Sequence, residues 1–232
     1  MKKIVPVLSF CLGLMLAMMH SAIAQVPYVS NYNWSGPYFG VSAGYGLGKT
    51  TIDDQDCNVS CSSQTLTPAG GLFGLTLGYN YQVGNAVVGV EADTSAVVGA
   101  NSRKATDWPS LHKAAFNGLS TIRLRGGLAV NNALIYATGG LAVVNTDVSA
   151  WGNQTYGNYG FSQNNVQYGL AVGGGMEFSI SKEISAKFEY LFVTFPSKSN
   201  IHDQGGRCTS GYCNYGESNS MNVLRFGLNY HF

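Results

Sequence analysis

The closing stretch Leu224-Arg225-Phe226-Gly227-Leu228-Asn229-Tyr230-His231-Phe232 decides the fold. In an extended strand successive side chains point to opposite faces. Leu224, Phe226, Leu228, Tyr230 and Phe232 therefore share one face, and Arg225, Gly227, Asn229 and His231 share the other. A soluble barrel would turn the large apolar face inward. Here the polar face carries glycine and charge while the apolar face is bulky and aromatic, the pattern of a strand with lipid outside it.

The same alternation recurs along the chain and predicts seven more strands. Strand one, about 36–48, sets Phe39, Val41, Ala43, Tyr45 and Leu47 against Gly40, Ser42, Gly44 and Gly46. Strand two, about 70–82, sets Phe73, Leu75, Leu77, Tyr79 and Tyr81 against Gly74, Thr76, Gly78, Asn80 and Gln82. Strand three (about 86–98) carries Val88, Val90 and Ala92, and strand four (about 118–130) carries Ile122, Leu124 and Leu128. Strand six (about 166–180) carries Tyr168, Leu170, Val172, Met176, Phe178 and Ile180, and strand seven (about 184–195) carries Phe188, Tyr190 and Phe192. Strand five, about 133–146, is apolar on both parities, so Leu134 to Val144 does not fix its faces.

Val83-Gly84-Asn85, Asn131-Asn132 and Ser181-Lys182-Glu183 supply three short turns, with Asn and Gly suited to positive φ. The connections near 49–69, 99–117, 147–165 and 196–218 are long and polar. Short turns alternating with long loops predict an all-β, eight-stranded antiparallel up-and-down transmembrane barrel. The short turns and both termini are then periplasmic. Loop three, Trp151 to Asn165, offers aromatic and amide groups that suit either a binding surface or a plain polar loop.

This assignment of faces has a consequence for charge. Glu91, Asp93, Arg123, Arg125, Glu177, Lys187, Glu189 and Arg225 all fall on the inner face, four acids with four bases. An eight-stranded barrel leaves a bore that side chains roughly fill. Charges packed there must be paired, because an unpaired buried charge is costly. They are expected to form a plug of salt bridges, the alternative being a narrow or gated pore lined by the same groups.

The N-terminus reads as an export signal. Lys2 and Lys3 precede an apolar run from Ile4 to Met19, and Ser21-Ala22-Ile23-Ala24 places cleavage between Ala24 and Gln25. Residues 1–24 are thus the signal peptide, 25–33 a short periplasmic tail and 34–232 the barrel. Removing Lys2 and Lys3 from 13 basic residues leaves eleven against 12 acidic ones. That balance offers no field for nucleic acid. Charged residues make up only 11% of the chain, too few for an ordinary soluble surface.

Four cysteines remain after cleavage, Cys57 and Cys61 in the first long loop and Cys208 and Cys213 in the fourth. Export favours oxidation. Local pairs are the favoured connectivity, with a bridge between the two loops also open, and the spacings match no zinc signature. No metal is expected. His112 and His202, in the second and fourth loops, are the only candidates for ligating haemin iron, and a solvated loop histidine is the plainer reading of each. No other cofactor is indicated. No Ser–His–acid set is legible from spacing, so no enzyme is expected.

Several stretches resemble the alphaproteobacterial small outer-membrane barrels of the porin-like, OmpA-related family, which includes surface antigens and haemin-binding proteins. They are Trp34-Ser35-Gly36-Pro37-Tyr38-Phe39-Gly40, Val88-Gly89-Val90-Glu91-Ala92-Asp93, Arg123-Leu124-Arg125-Gly126-Gly127, Tyr136-Ala137-Thr138-Gly139-Gly140, Lys187-Phe188-Glu189-Tyr190 and Phe226-Gly227-Leu228-Asn229-Tyr230-His231-Phe232. The resemblance implies residence in the outer membrane among lipid and lipopolysaccharide. It also implies insertion by the assembly machinery that reads a terminal aromatic such as Phe232. It fixes no activity. The expected function is a structural surface barrel that supports envelope integrity and presents four extracellular loops. The alternative is a small porin, or a binder of haemin, a host partner or a small molecule at its loops.

Overall fold

A computed structural model describes residues 32–54, 64–105, 110–152, 160–202 and 214–232. Cys57, Cys61, Cys208, Cys213, Ala24 and Gln25 lie outside the described residues. Eight long strands make the wall: β1 (Gly36–Asp54), β3 (Ala69–Val83), β4 (Ala86–Val98), β6 (Ser110–Val130), β7 (Ala133–Gly152), β8 (Gly160–Ser179), β9 (Ile184–Thr194) and β11 (Asn214–His231). Three short strands, β2 (Gln64–Leu66), β5 (Asn101–Ala105) and β10 (Lys198–His202), pair with β1, β6 and β11 respectively. All pairings are antiparallel, and β1 meets β11 from Tyr38↔His231 to Asp54↔Tyr215. That last pairing closes the sheet into a barrel, which leaves the wall without edges.

The lipid-facing parity is the one the alternation predicts. Phe39, Val41, Tyr45, Leu47, Phe73, Leu75, Leu77, Tyr168, Leu170, Phe226 and Leu228 are exposed on the outer wall. The turns are as short as expected. Val83 pairs with Ala86 and Val130 with Ala133, so Gly84-Asn85 and Asn131-Asn132 are two-residue connections. Gly84 at φ 58° and Asn131 at φ 55° take the left-handed conformation such turns require.

Three features differ from the sequence expectation. First, the long connections are shorter than predicted, because β1, β6, β7, β8 and β11 run on through residues expected in loops. A spanning strand needs only about 9–11 residues, so β6, at 21 residues, stands well clear of the bilayer on the loop side. There Ser110-Leu111-His112-Lys113-Ala114-Ala115 mixes polar and apolar residues on both parities and the period-2 signal vanishes, yet the backbone ladder continues. Secondly, a bulge at Asn117 shifts the register between Phe116 and Gly118. It switches inward parity, so Phe116 and Leu119 are both buried. Thirdly, the faces of β7 are now fixed: Leu134, Tyr136, Thr138, Ala142, Val144 and Thr146 are buried inside, while Ile135 and Leu141 are exposed.

Candidate functional site

The bore is filled in three layers. At the periplasmic end Trp34, Val87, Ala129, Leu134 and Tyr136 form an apolar cluster, with Tyr32 packed against it. Towards the loops a larger apolar layer contains Leu72, Phe116, Leu119, Val144, Leu191, Val193, Phe195, Met221 and Val223. Between them lie the eight inward charges, every one of them buried.

Neighbouring strands bring those charges together. Arg225↔Glu189 and Glu177↔Lys187 are directly opposed across β9, and Glu91↔Arg123 across β4 and β6. Arg123 lies at the centre. It donates to Glu91, to Asp93 at 2.8 Å and to Glu189 at 3.1 Å, while its Nε donates to Thr121 Oγ1 at 2.9 Å. Thr121 Oγ1 in turn donates to Asp93 Oδ2 at 2.6 Å. Arg225 donates to Glu189 at 2.7 Å and to both oxygens of Asp93. Lys187 Nζ donates to Glu91 at 2.9 Å, and Arg125 Nη2 donates to Glu177 at 2.7 Å. Four acids and four bases thus meet in one connected set, which makes their burial tolerable.

Two phenols that the strand assignment did not pick out belong to this set. Tyr38 Oη donates to Glu91 at 2.7 Å and accepts from Arg125 Nη1 at 2.9 Å. Tyr136 Oη donates to Glu189 at 2.9 Å, and its ring lies 4.2 Å from the Arg125 guanidinium carbon. Tyr38 was legible from its inward parity with Gly40 and Ser42. Tyr136 was not, because both parities of its strand are apolar.

The described residues just before the first strand, Tyr32 to Ser35, bond to the periplasmic turns. Tyr32 Oη donates to the Lys182 carbonyl in the β8–β9 turn at 3.0 Å. Trp34 N donates to Gln82 Oε1 at 2.8 Å beside the β3–β4 turn. The chain therefore crosses the periplasmic mouth, and the fully buried Trp34 indole corks it. Burial, with Glu177 and Glu183 nearby, pushes the Tyr32 phenol above its usual range and keeps it a neutral donor.

The structure also assembles a serine, a histidine and an acid that are scattered in the sequence. Ser185 Oγ donates to Glu177 Oε1 at 2.6 Å and lies 3.0 Å from His231 Nε2. A hydrolytic triad places the acid on one ring nitrogen and the nucleophile on the other. Here Glu177 Oε1 also sits on Nε2, at 3.4 Å, and both Ser185 and Glu177 are wholly buried. The wiring and the lack of access suit a structural hydrogen-bond cluster.

The two candidate haemin ligands lie on separate strands. His112 is on β6, in register with Lys104 and Ala150, and His202 is on β10, opposite Asn214. Those two strands do not pair. Among the described residues no group of three or more His, Cys, Asp or Glu is arranged to hold a metal ion.

A closed eight-stranded wall, an apolar exterior and a charged, packed interior define a small transmembrane β-barrel of the outer-membrane type. The chain belongs to the outer membrane protein beta-barrel domain family, whose model matches residues 8–232. It is similar to the 31 kDa outer-membrane immunogenic protein of Brucella melitensis, with 30% identity over 224 residues, 88% of this chain and 86% of that protein. It is also similar to the 22 kDa outer membrane protein of Rhizobium leguminosarum bv. viciae, with 28% identity over 181 residues, 78% of this chain and 74% of that one. Among solved structures, the outer membrane protein OprG from Pseudomonas aeruginosa aligns with a TM-score of 0.52 at 13% identity. That alignment covers 88% of this chain and 100% of that one, a likeness of fold. This is an outer-membrane protein.

Proposed function

We propose that the protein is a structural surface barrel: it reinforces the outer membrane, displays its loop-side strands and connections outside the cell, and passes no solutes. The observation that carries this reading is the filled bore. A charge layer in which each acid holds at least two bonds is sandwiched between two apolar layers, and opening a path would require all three to repack. The Brucella relative is named an immunogenic protein, which agrees with surface display of the corresponding region here. Its partners are lipid and lipopolysaccharide at the wall and the assembly machinery at the terminal aromatic. The exposure of Phe232, at 77%, supports that last role. The protein carries out no chemistry, a reading supported by the buried, miswired Ser185–His231–Glu177 cluster.

Liposome swelling with the purified, refolded barrel tests this directly. Vesicles containing it should swell in arabinose no faster than empty vesicles. Rapid swelling, or large steady steps in a planar bilayer, would overturn the structural reading in favour of a porin.

A further inference from the structure

The periplasmic side of the charge layer holds polar atoms that the pairing of acids with bases does not explain. Asn80 is fully buried on the inner face of β3, and among the described residues neither its Nδ2 nor its Oδ1 has a hydrogen-bond partner. Arg125 Nε is likewise buried without one. A buried amide left unpaired costs free energy, and native proteins satisfy such groups with protein or with ordered water.

The ladder brings these two groups to one place. Asn80 pairs with Gly89, and Gly89 pairs with Arg125 on the next strand. A Cβ built on Gly89 would lie 2.4 Å from Asn80 Oδ1 and 3.2 Å from Arg125 Cγ, so the two side chains converge above that glycine. The guanidinium is held on its other sides. Its Nη1 is held by Tyr38, its Nη2 by Glu177, and its plane by the Tyr136 ring. Trp34 packs with Val87, one inward step nearer the periplasm than Gly89, and its own Nε1 is also buried and unpartnered.

We propose that Asn80 and Arg125 form an internal water site, in which an ordered water accepts from Arg125 Nε–H and donates to Asn80 Oδ1 beneath the Trp34 cork. Water fits better than an anion. The eight surrounding charges already balance, and the site offers an acceptor, Asn80 Oδ1, as well as donors. The amide is thus the part of the charge layer that reaches solvent-derived hydrogen bonding while the bore stays closed to solutes. This assignment stands apart from solute passage, since a dry site and an open pore give different readouts.

The test is solution NMR of the refolded, isotope-labelled full barrel in micelles, combined with urea unfolding of Asn80→Leu. The Arg125 Nε–H and Asn80 side-chain amide protons should show cross-peaks to water. Asn80→Leu should remove the Arg125 cross-peak and lower the urea midpoint, because it strands Arg125 Nε. Replacing chloride by gluconate should change neither readout. Absence of water cross-peaks in the wild type overturns the proposal, even if Asn80→Leu fails to refold. So does an Asn80→Leu midpoint at or above wild type, the result expected of a dry, unsatisfied amide. A chloride-dependent midpoint would overturn the choice of water over an anion.

Discussion

Arg225 on the last strand grips Asp93 on the third long strand across the bore, Nη1 to Oδ1 at 2.8 Å and Nη2 to Oδ2 at 3.1 Å, over a sequence separation of 132 residues. The contact spans strands that are not neighbours in the sheet, so it ties opposite parts of the wall through the interior. Breaking one partner of a buried pair costs roughly 3–5 kcal/mol, because the other is left uncompensated. Arg225→Met should therefore lower the urea midpoint of the refolded barrel sharply, and so should Asp93→Asn. The double variant restores neutrality and should lose clearly less than the sum of the two. Additive losses would show that the two side chains act independently.

Tyr38→Phe removes one hydroxyl and two bonds, the donation to Glu91 and the acceptance from Arg125. Buried hydrogen bonds to charged groups are worth about 1.5–3 kcal/mol each way. The variant should fold to the same barrel but unfold at measurably lower urea. Tyr79→Phe, on the lipid face, should not.

Two glycines should respond in opposite ways to an added methyl. A Cβ at Gly140 would lie 2.1 Å from the Ile122 carbonyl oxygen and 2.6 Å from Arg123 Cα, where backbone must move. At Gly126 nothing lies within 4 Å. Gly140→Ala should fail to give the heat-modifiable folded band on gels, and Gly126→Ala should give it at wild-type yield.

Leu124 is 71% exposed to lipid, one residue from the buried Arg123. An arginine on the lipid face near the midplane costs about 2–4 kcal/mol. Leu124→Arg should destabilise the barrel by that order in chemical unfolding from lipid vesicles. A neutral outcome would place this segment outside the hydrocarbon layer.

The outer wall was legible in the sequence because its two faces differ in kind, bulky apolar against small or charged, as from Leu224 to Phe232. The charged layer followed from the same parity. The rest was hidden where the contrast fails. Leu191, Val193, Leu119 and Val223 point inward although apolar, so the upper layer of the bore could not be separated from lipid-facing residues by hydrophobicity alone. Leu134 and Ile135 are chemically alike yet face opposite ways. The bulge at Asn117 changes parity beside Gly118, and in the sequence that Asn-Gly pair reads as the end of a loop rather than as an irregularity inside a strand. Trp34 lies before the first strand, where alternation has nothing to say, and its role as a cork depends on contacts with turns far along the chain.

The pairing of β1 with β11 also sets an order of events. The wall cannot close until the final strand has been made, and that strand carries the fourth inward base. A chain cut short before Arg225 would present four buried acids with three bases and no partner for the free edge of β1. A chain that includes β11 seals its seam and neutralises its centre at the same moment.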